Sequence, residues 1–128
     1  MRTAAIAMVA LLVLGAELQA QTVALNRVMR QKLQDAQNVL GAVVTSNWRE
    51  LERSSRALAK ATEDPAWLVL RTPEYTKQSE AFLYAVNDLV DAATRRDVEA
   101  APLAYTALTM RCVQCHRYVA RARIATQK

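Results

Sequence analysis

The sequence predicts an all-α protein, an up-down-up-down four-helix bundle, and three observations favour this class. The 128 residues include only two glycines and three prolines, too few for the many tight turns of a β-sandwich or barrel. Residues that favour helices, such as alanine, leucine, glutamine and arginine, are abundant. Apolar residues recur at spacings of three and four along four segments. With 52% hydrophobic and 23% charged residues, the composition is globular rather than disordered.

The first twenty residues have the pattern of a cleavable secretory signal. Arg2 precedes an uncharged apolar run from Ala4 to Leu14, and the segment Leu18-Gln19-Ala20 ends in a small residue. The alternative is a transmembrane anchor, but the run is shorter than the roughly 20 apolar residues that span a bilayer. We therefore expect cleavage after Ala20, a periplasmic location without membrane insertion of the mature chain, and one domain over residues 21–128.

Two helices are predicted in the first half of that domain. The first covers about 23–44, where apolar residues recur every three or four positions, and Gly41 predicts a close helix crossing or the start of a bend. Asn47 followed by Glu50 resembles a capping box, so a second helix should begin there and stop before Asp64-Pro65. Its expected inner face consists of Trp48, Leu51, Ser55 and Leu58.

A connection and two further helices are predicted in the second half. The stretch 62–72 is irregular, with one helical turn expected at 66–69. Thr72-Pro73-Glu74 is a strong helix start, with a capping hydroxyl, a proline at the first position and an acid in the first turn. Asp97 should cap the fourth helix. The expected inner faces are Tyr75, Phe82, Val86, Leu89 and Ala93 in the third helix, and Ala101, Leu108, Cys112 and Val119 in the fourth.

Both cysteines and the only histidine fall in one segment, Cys112-Val113-Gln114-Cys115-His116. Cys-x-x-Cys-His is the pattern of c-type haem attachment, in which two thiols bond to the haem vinyl groups and the adjacent imidazole ligates the iron. We therefore expect one haem c, held covalently by Cys112 and Cys115, with His116 as the proximal iron ligand. The alternatives are weaker. A thioredoxin-like site would follow a strand, a zinc site needs four ligands, and a disulfide across one helical turn would be strained.

An exported four-helix chain with this motif near its C-terminus resembles the cytochromes c′ and their low-spin relatives. The specific stretches are Arg96-Asp97-Val98-Glu99 through Ala104-Tyr105 to the motif, and Asn38–Ala42 in the first helix. The family usually has an aromatic residue third and a basic residue fourth after its haem histidine, but Val119 and Ala120 stand there in this sequence. The chain therefore resembles a divergent member of the family, and the resemblance allows a five-coordinate iron.

The side of the iron opposite His116 has one thioether candidate, Met29. Two other methionines fall in the leader, and Met110 lies on the motif helix itself. Antiparallel first and last helices would bring Met29 to the height of His116 within about one turn. The alternatives are that Met29 is an ordinary core residue, and that Leu33, one turn on, lies over a five-coordinate iron.

The function expected from these features is a periplasmic mono-haem c-type cytochrome that carries single electrons and is not an enzyme. The net charge of +5 suits acidic redox partner proteins, and the chain lacks the basic stripe with interleaved aromatics that would indicate nucleic-acid binding. The alternative is a five-coordinate haem protein that binds a small gas such as nitric oxide. The sequence leaves open whether the chain is a monomer or a homodimer. Candidates for neutralising haem propionates are Arg27, Arg30, Arg117 and Arg121, and Trp67 either covers a haem edge or closes the bundle end.

Overall fold

The computed structural model describes the backbone of residues 2–126 and the side chains of residues 17 and 19–125. Its helices are α1 (Arg2–Val44), α2 (Trp48–Ala61), α3 (Pro73–Arg95) and α4 (Ala100–Thr126), with a short 3-10 turn at Pro65–Trp67. No strand occurs among the described residues. The predicted all-helical class and the packing of four helices into a bundle are confirmed.

The first helix ends where the sequence predicts and begins earlier. α1 is continuous from Arg2 to Val44, so it passes without a break through the expected cleavage position after Ala20. The side chains of the apolar run 4–14 lie outside the described part of the structure. Among the residues that are described, no helix has the length and apolar character needed to cross a membrane.

Side-chain caps fix the starts of α2 and α3, although the Glu50 carboxylate accepts from Arg53 and Ser54 and so does not complete the predicted capping box with Asn47. The Asn47 side chain accepts a hydrogen bond from the backbone N–H of Glu50 at 3.2 Å. Thr72 Oγ1 accepts one from the backbone N–H of Tyr75 at 3.1 Å. Each cap satisfies a donor that the first turn of a helix leaves without an intrahelical partner.

The turn between α3 and α4 combines a left-handed residue with an acidic cap. Arg96 has φ 53° and ψ 43°, a region that residues other than glycine seldom adopt, and it closes the last turn of α3. Asp97 Oδ1 then accepts hydrogen bonds from the backbone N–H groups of Glu99 and Ala100 at 3.1 and 2.9 Å. The predicted capping role of Asp97 is therefore confirmed, and α4 leaves the turn antiparallel to α3.

Consecutive helices share the main packing surfaces of the bundle, and α1 meets α4 at only a few residues. We call this loosest contact the α1–α4 seam. Burial of a large apolar side chain contributes about 1.5–3 kcal/mol, so the core formed by the other three contacts dominates stability. Its fully buried members are Val39, Leu51, Leu58, Phe82, Val86, Leu89 and Leu108.

Gly41 does not mark a close helix crossing. No atom lies within 4 Å of the position that a Cβ at Gly41 would take, and α1 continues to Val44. The predicted crossing is therefore wrong. The glycine carbonyl instead accepts hydrogen bonds from the backbone N–H and the hydroxyl of Thr45 at the helix end.

Candidate functional site

The Cys-x-x-Cys-His segment lies in the second half of α4, with its side chains at three depths. Cys115 is buried, with 8% of its surface exposed, Cys112 is half-buried, and His116 is exposed. The sequence placed Cys112 on the inner face, whereas Cys115 is the deeper of the two. Both cysteines are free thiols. The helix thus presents two thiols toward the bundle and an imidazole beside them at the surface.

A hydrogen bond two residues beyond His116 fixes α4 against α3. The Tyr118 hydroxyl lies 2.7 Å from Thr72 Oγ1, the atom that also caps the first turn of α3. Because the contact joins the two helices at one point, it limits rotation of α4 about its own axis. The orientation of the motif toward the interior therefore depends partly on Tyr118.

A buried lysine lies inside the bundle on the α1 side of the site. Lys32 is 6% exposed, and its Nζ lies 4.5 Å from the Trp67 ring centroid and 4.3 Å from that of Phe82. These two rings pack on each other with centroids 5.3 Å apart. Within the described part of the chain, Nζ has no hydrogen-bond or ion-pair partner. Asp35, also buried and one turn on, accepts from Gln31 Nε2 at 3.1 Å instead.

The aromatic contacts offset only part of the cost of burying Lys32. An effective penalty of several kcal/mol accompanies burial of an ammonium group, whereas a cation–π contact returns about 0.5–2 kcal/mol. Burial lowers the pKa of Lys32, while the charges of Cys112 and Cys115 act in the opposite direction. The lysine on α1 therefore lies close enough to both cysteines on α4 to feel their charge.

An aromatic wall closes the inner side of the site. Trp67 is buried, and its Nε1 donates a hydrogen bond to Ser79 Oγ at 3.0 Å. The Tyr75 hydroxyl donates to the backbone carbonyl of Trp67. Burial raises the pKa of Tyr75, and the charge of nearby Cys115 adds to that effect. Trp67 and Tyr75 are therefore joined by a hydrogen bond, and both belong with Cys115 to the buried core.

Burial and Lys32 together also shape the protonation of the motif. Burial raises the pKa of the Cys115 thiol, and the positive charge of Lys32 partly offsets this. Although His116 lies at the surface, partial desolvation of its ring lowers its pKa, and the charge of Lys32 lowers it further. The neutral imidazole is the form that binds a metal, so the surroundings of His116 favour the ligating form.

The helix α1 is oriented so that Lys32 faces the interior, whereas the two residues that the sequence placed opposite His116 lie farther out. Met29 is half-buried at the margin of the core, and Leu33 is 60% exposed. Lys32 occupies the inward position that follows Val28 by one turn. The buried stripe of α1 consists of Val28, Lys32, Asp35, Val39 and Ala42.

The four arginines proposed as propionate partners are all exposed: Arg27, Arg30, Arg117 and Arg121. Arg27 pairs with Asp64 at 3.3 Å, an exposed ion pair worth at most about 1 kcal/mol. Four arginines and no acidic residue occur in α4, which gives the motif helix a positive surface. These are Arg111, Arg117, Arg121 and Arg123.

Two cavities open elsewhere on α1. One of about 800 Å³ lies between residues 20–25, the connection 64–71 and Arg123. The other, of about 600 Å³, lies between α1 and the end of α2 and contains Asp35 and Lys60 among its walls. Neither is lined by the cysteines or His116. In the described region, no three His, Cys, Asp or Glu side chains converge to hold a metal ion. Haem attachment does not need such a cluster, because the porphyrin binds the iron and one protein side chain is enough as ligand.

Comparisons of the chain with protein-family models, with curated proteins and with solved structures found no match. The function is therefore inferred from the residues of the site themselves, with their burial, contacts and charge.

Proposed function

We propose that this chain is a mono-haem c-type cytochrome that carries single electrons. The observation that carries the proposal is the pair of free thiols, one helical turn apart on α4, followed directly by a surface imidazole. In attachment, each S–H adds across one vinyl group: a C–S bond forms and the hydrogen goes to the other vinyl carbon. The addition balances without an external oxidant. A bound haem supplies a one-electron Fe(III)/Fe(II) couple.

The residues present fit this cofactor. Cys112 and Cys115 would hold it covalently, and His116 would ligate the iron with an imidazole whose lowered pKa favours the neutral form. The helix that carries the motif, α4, packs mainly on α3 and meets α1 at only a few residues. Lys32, a buried residue of α1 whose Nζ lies against the Trp67 and Phe82 rings, carries a charge that acts on Cys115 and His116. The donor types and the loose packing beside them both support haem attachment here.

The charge distribution of α4 supports docking to acidic proteins. Arg111 and Arg117 flank the motif in sequence, and α4 lacks any acid that would neutralise them. A positive surface next to the cofactor steers acidic proteins to the place where electrons leave. We therefore propose acidic redox proteins as partners, in the periplasm, after removal of the leader at Ala20.

The test is covalent haem in the purified protein. We expect the full chain, expressed in a host with c-type attachment machinery, to gain the mass of one haem and to stay red after acid–acetone extraction. Replacing both Cys112 and Cys115 with serine should abolish both signals. Met110→Leu, on the same helix and exposed, is the matched control and should retain them.

Colour that extracts completely from the unaltered protein would contradict the proposal. The same mass spectra test export, because the mature chain should begin at Gln21. A retained leader in the functional protein would contradict cleavage and indicate a membrane-tethered cytochrome, without affecting the haem assignment.

A further inference from the structure

We propose that Lys32 supplies the nitrogen ligand on the α1 side of the haem iron, opposite His116. This inference rests on the proposed function, because it takes a haem attached at Cys112 and Cys115 as given. The motif specifies only the proximal side of the iron. A ligand on the other side has to come from another helix, and Lys32 is the buried base of α1, with its Nζ against the Trp67 and Phe82 rings.

Burial distinguishes Lys32 from the other bases. In the part of the chain with described side chains, every other lysine and every arginine is exposed, whereas Lys32 is 6% exposed. A long aliphatic side chain normally carries its charged end to water. At position 32 the Nζ instead lies over the Trp67 and Phe82 rings, at 4.5 and 4.3 Å from their centroids. Solvation of the ammonium group therefore does not explain this placement.

The Lys32 amine has no hydrogen-bonding partner among the described residues. No carboxylate, hydroxyl or carbonyl among the described residues lies within hydrogen-bond distance of Nζ. Asp35 is near in sequence and buried, but it bonds to Gln31. Nζ is therefore held only against the faces of the two rings, and the neutral amine has a lone pair free to bind a ligand. An amine binds iron as the neutral base, and no described carboxylate pairs with Nζ to hold the proton there.

Lys32 also lies on the inward face of α1. It belongs to the inward stripe between Val28 and Val39, whereas Met29 lies at the margin and Leu33 faces outward. The side chains of Cys112 and Cys115 are near enough to act on its charge. A lysine stem is long and flexible, so Nζ can leave the aromatic rings for a ligating position without a shift of the helix.

The experiment compares the visible spectra of the unaltered protein with four variants, all first shown by mass to carry one covalent haem. We expect a low-spin ferric spectrum without the weak far-red sulfur-to-iron band in the unaltered protein and in Met29→Leu. Lys32→Leu and Lys32→Arg should both become high-spin and should bind carbon monoxide readily when reduced. Lys32→Arg keeps the positive charge, but its guanidinium does not lose a proton, so it separates ligation from charge.

Lys32→Met provides a gain of signal, because a thioether at the same position should introduce the far-red band. Far-UV circular dichroism checks that each variant remains helical, and the arginine and methionine variants keep the test valid if Lys32→Leu does not fold.

Three results would overturn the inference. A high-spin unaltered protein would favour a five-coordinate, gas-binding site. A low-spin spectrum retained in Lys32→Arg would place the lysine beside a propionate as a charge partner. A far-red band that disappears in Met29→Leu would assign the ligand to Met29. Absence of covalent haem from the unaltered protein, read directly from its mass, would instead overturn the proposed function itself.

Discussion

The hydroxyl of Tyr118 and Oγ1 of Thr72 share a hydrogen bond of 2.7 Å across the α3–α4 contact. Thr72 Oγ1 also accepts from the backbone N–H of Tyr75, so one oxygen both starts α3 and holds α4. Since Tyr118 follows His116 by two residues, the orientation of the motif is tied to the first turn of the neighbouring helix.

Removing this contact should destabilise the bundle in a graded way. We expect Tyr118→Phe to lower the free energy of unfolding by about 0.5–1.5 kcal/mol, the net value of one hydrogen bond. Thr72→Ala should cost more, because it also removes a helix cap worth about 0.5–2 kcal/mol. Urea unfolding of both single variants and of the double variant measures the coupling. Thr72→Ser keeps the hydroxyl and should cost little, so an equal loss in Thr72→Ser would show that the oxygen is not the cause.

Two neighbouring serines of α2 should respond oppositely to alanine. Ser55 Oγ is fully buried without a hydrogen-bond partner in the described structure, while Ser54 Oγ donates to Glu50 Oε1 at 2.8 Å. An unsatisfied buried hydroxyl costs about 1–3 kcal/mol, so Ser55→Ala should raise the free energy of unfolding. Ser54→Ala loses a bond and should lower it. Thermal unfolding of the pair is the measurement, and equal destabilisation by both would contradict the assignment of Ser55 as unpaired.

Asp97 should make stability depend on acidity. The backbone N–H groups of Ala100 and Glu99 hold the pKa of this carboxyl below its ordinary value. A group whose pKa is lower in the folded state adds stability above its unfolded pKa and loses it as the pH falls through the folded pKa. Asp97→Asn keeps an acceptor oxygen but does not titrate.

The difference in unfolding free energy between the unaltered protein and Asp97→Asn should therefore shrink below about pH 4. Unfolding measured from neutral to acid pH tests this, with Asp97→Ala as the variant that lacks the cap at every pH. A difference that does not change with pH would rule out a contribution from this carboxylate.

The positive surface of α4 should control electron exchange with anions. We expect Arg117→Glu to slow oxidation of the ferrous protein by ferricyanide several-fold at low ionic strength, with the difference lost in high salt because screening shortens the range of the charge. Arg49→Glu on α2 makes the same charge change away from the motif and serves as the control. Stopped-flow absorbance gives both rates. Equal slowing in the two variants would mean that net charge, rather than the α4 surface, sets the rate.

The starts of α2 and α3 were predictable because they depend on local chemistry, whereas α1 begins well before the predicted residue. Asn47 and Thr72 cap as their sequence context predicts, since a capping side chain bonds to a backbone group only three residues away. Gly41 shows where local reasoning fails. Whether a missing side chain admits a neighbour depends on a distant segment, and at Gly41 no neighbour approaches.

Lys32 was missed for a related reason. A lysine is assigned to the solvated face of a helix by its residue type, although position 32 falls four residues after Val28 and seven before Val39 on the apolar stripe. The spacing of the apolar residues of α1 therefore already indicated an inward position for residue 32. Met29, Lys32 and Leu33 lie on neighbouring faces of α1. Which of them faces the interior depends on a small rotation of the helix about its axis, which an apolar pattern does not fix.

The loose α1–α4 seam bears on the order in which the protein is assembled. Because α1 is held mainly by α2, it can swing away from α4 in a local opening that costs less than global unfolding. In the haem protein proposed above, such an opening would let haem reach the cysteines after the chain has folded, and the return of α1 would then enclose it.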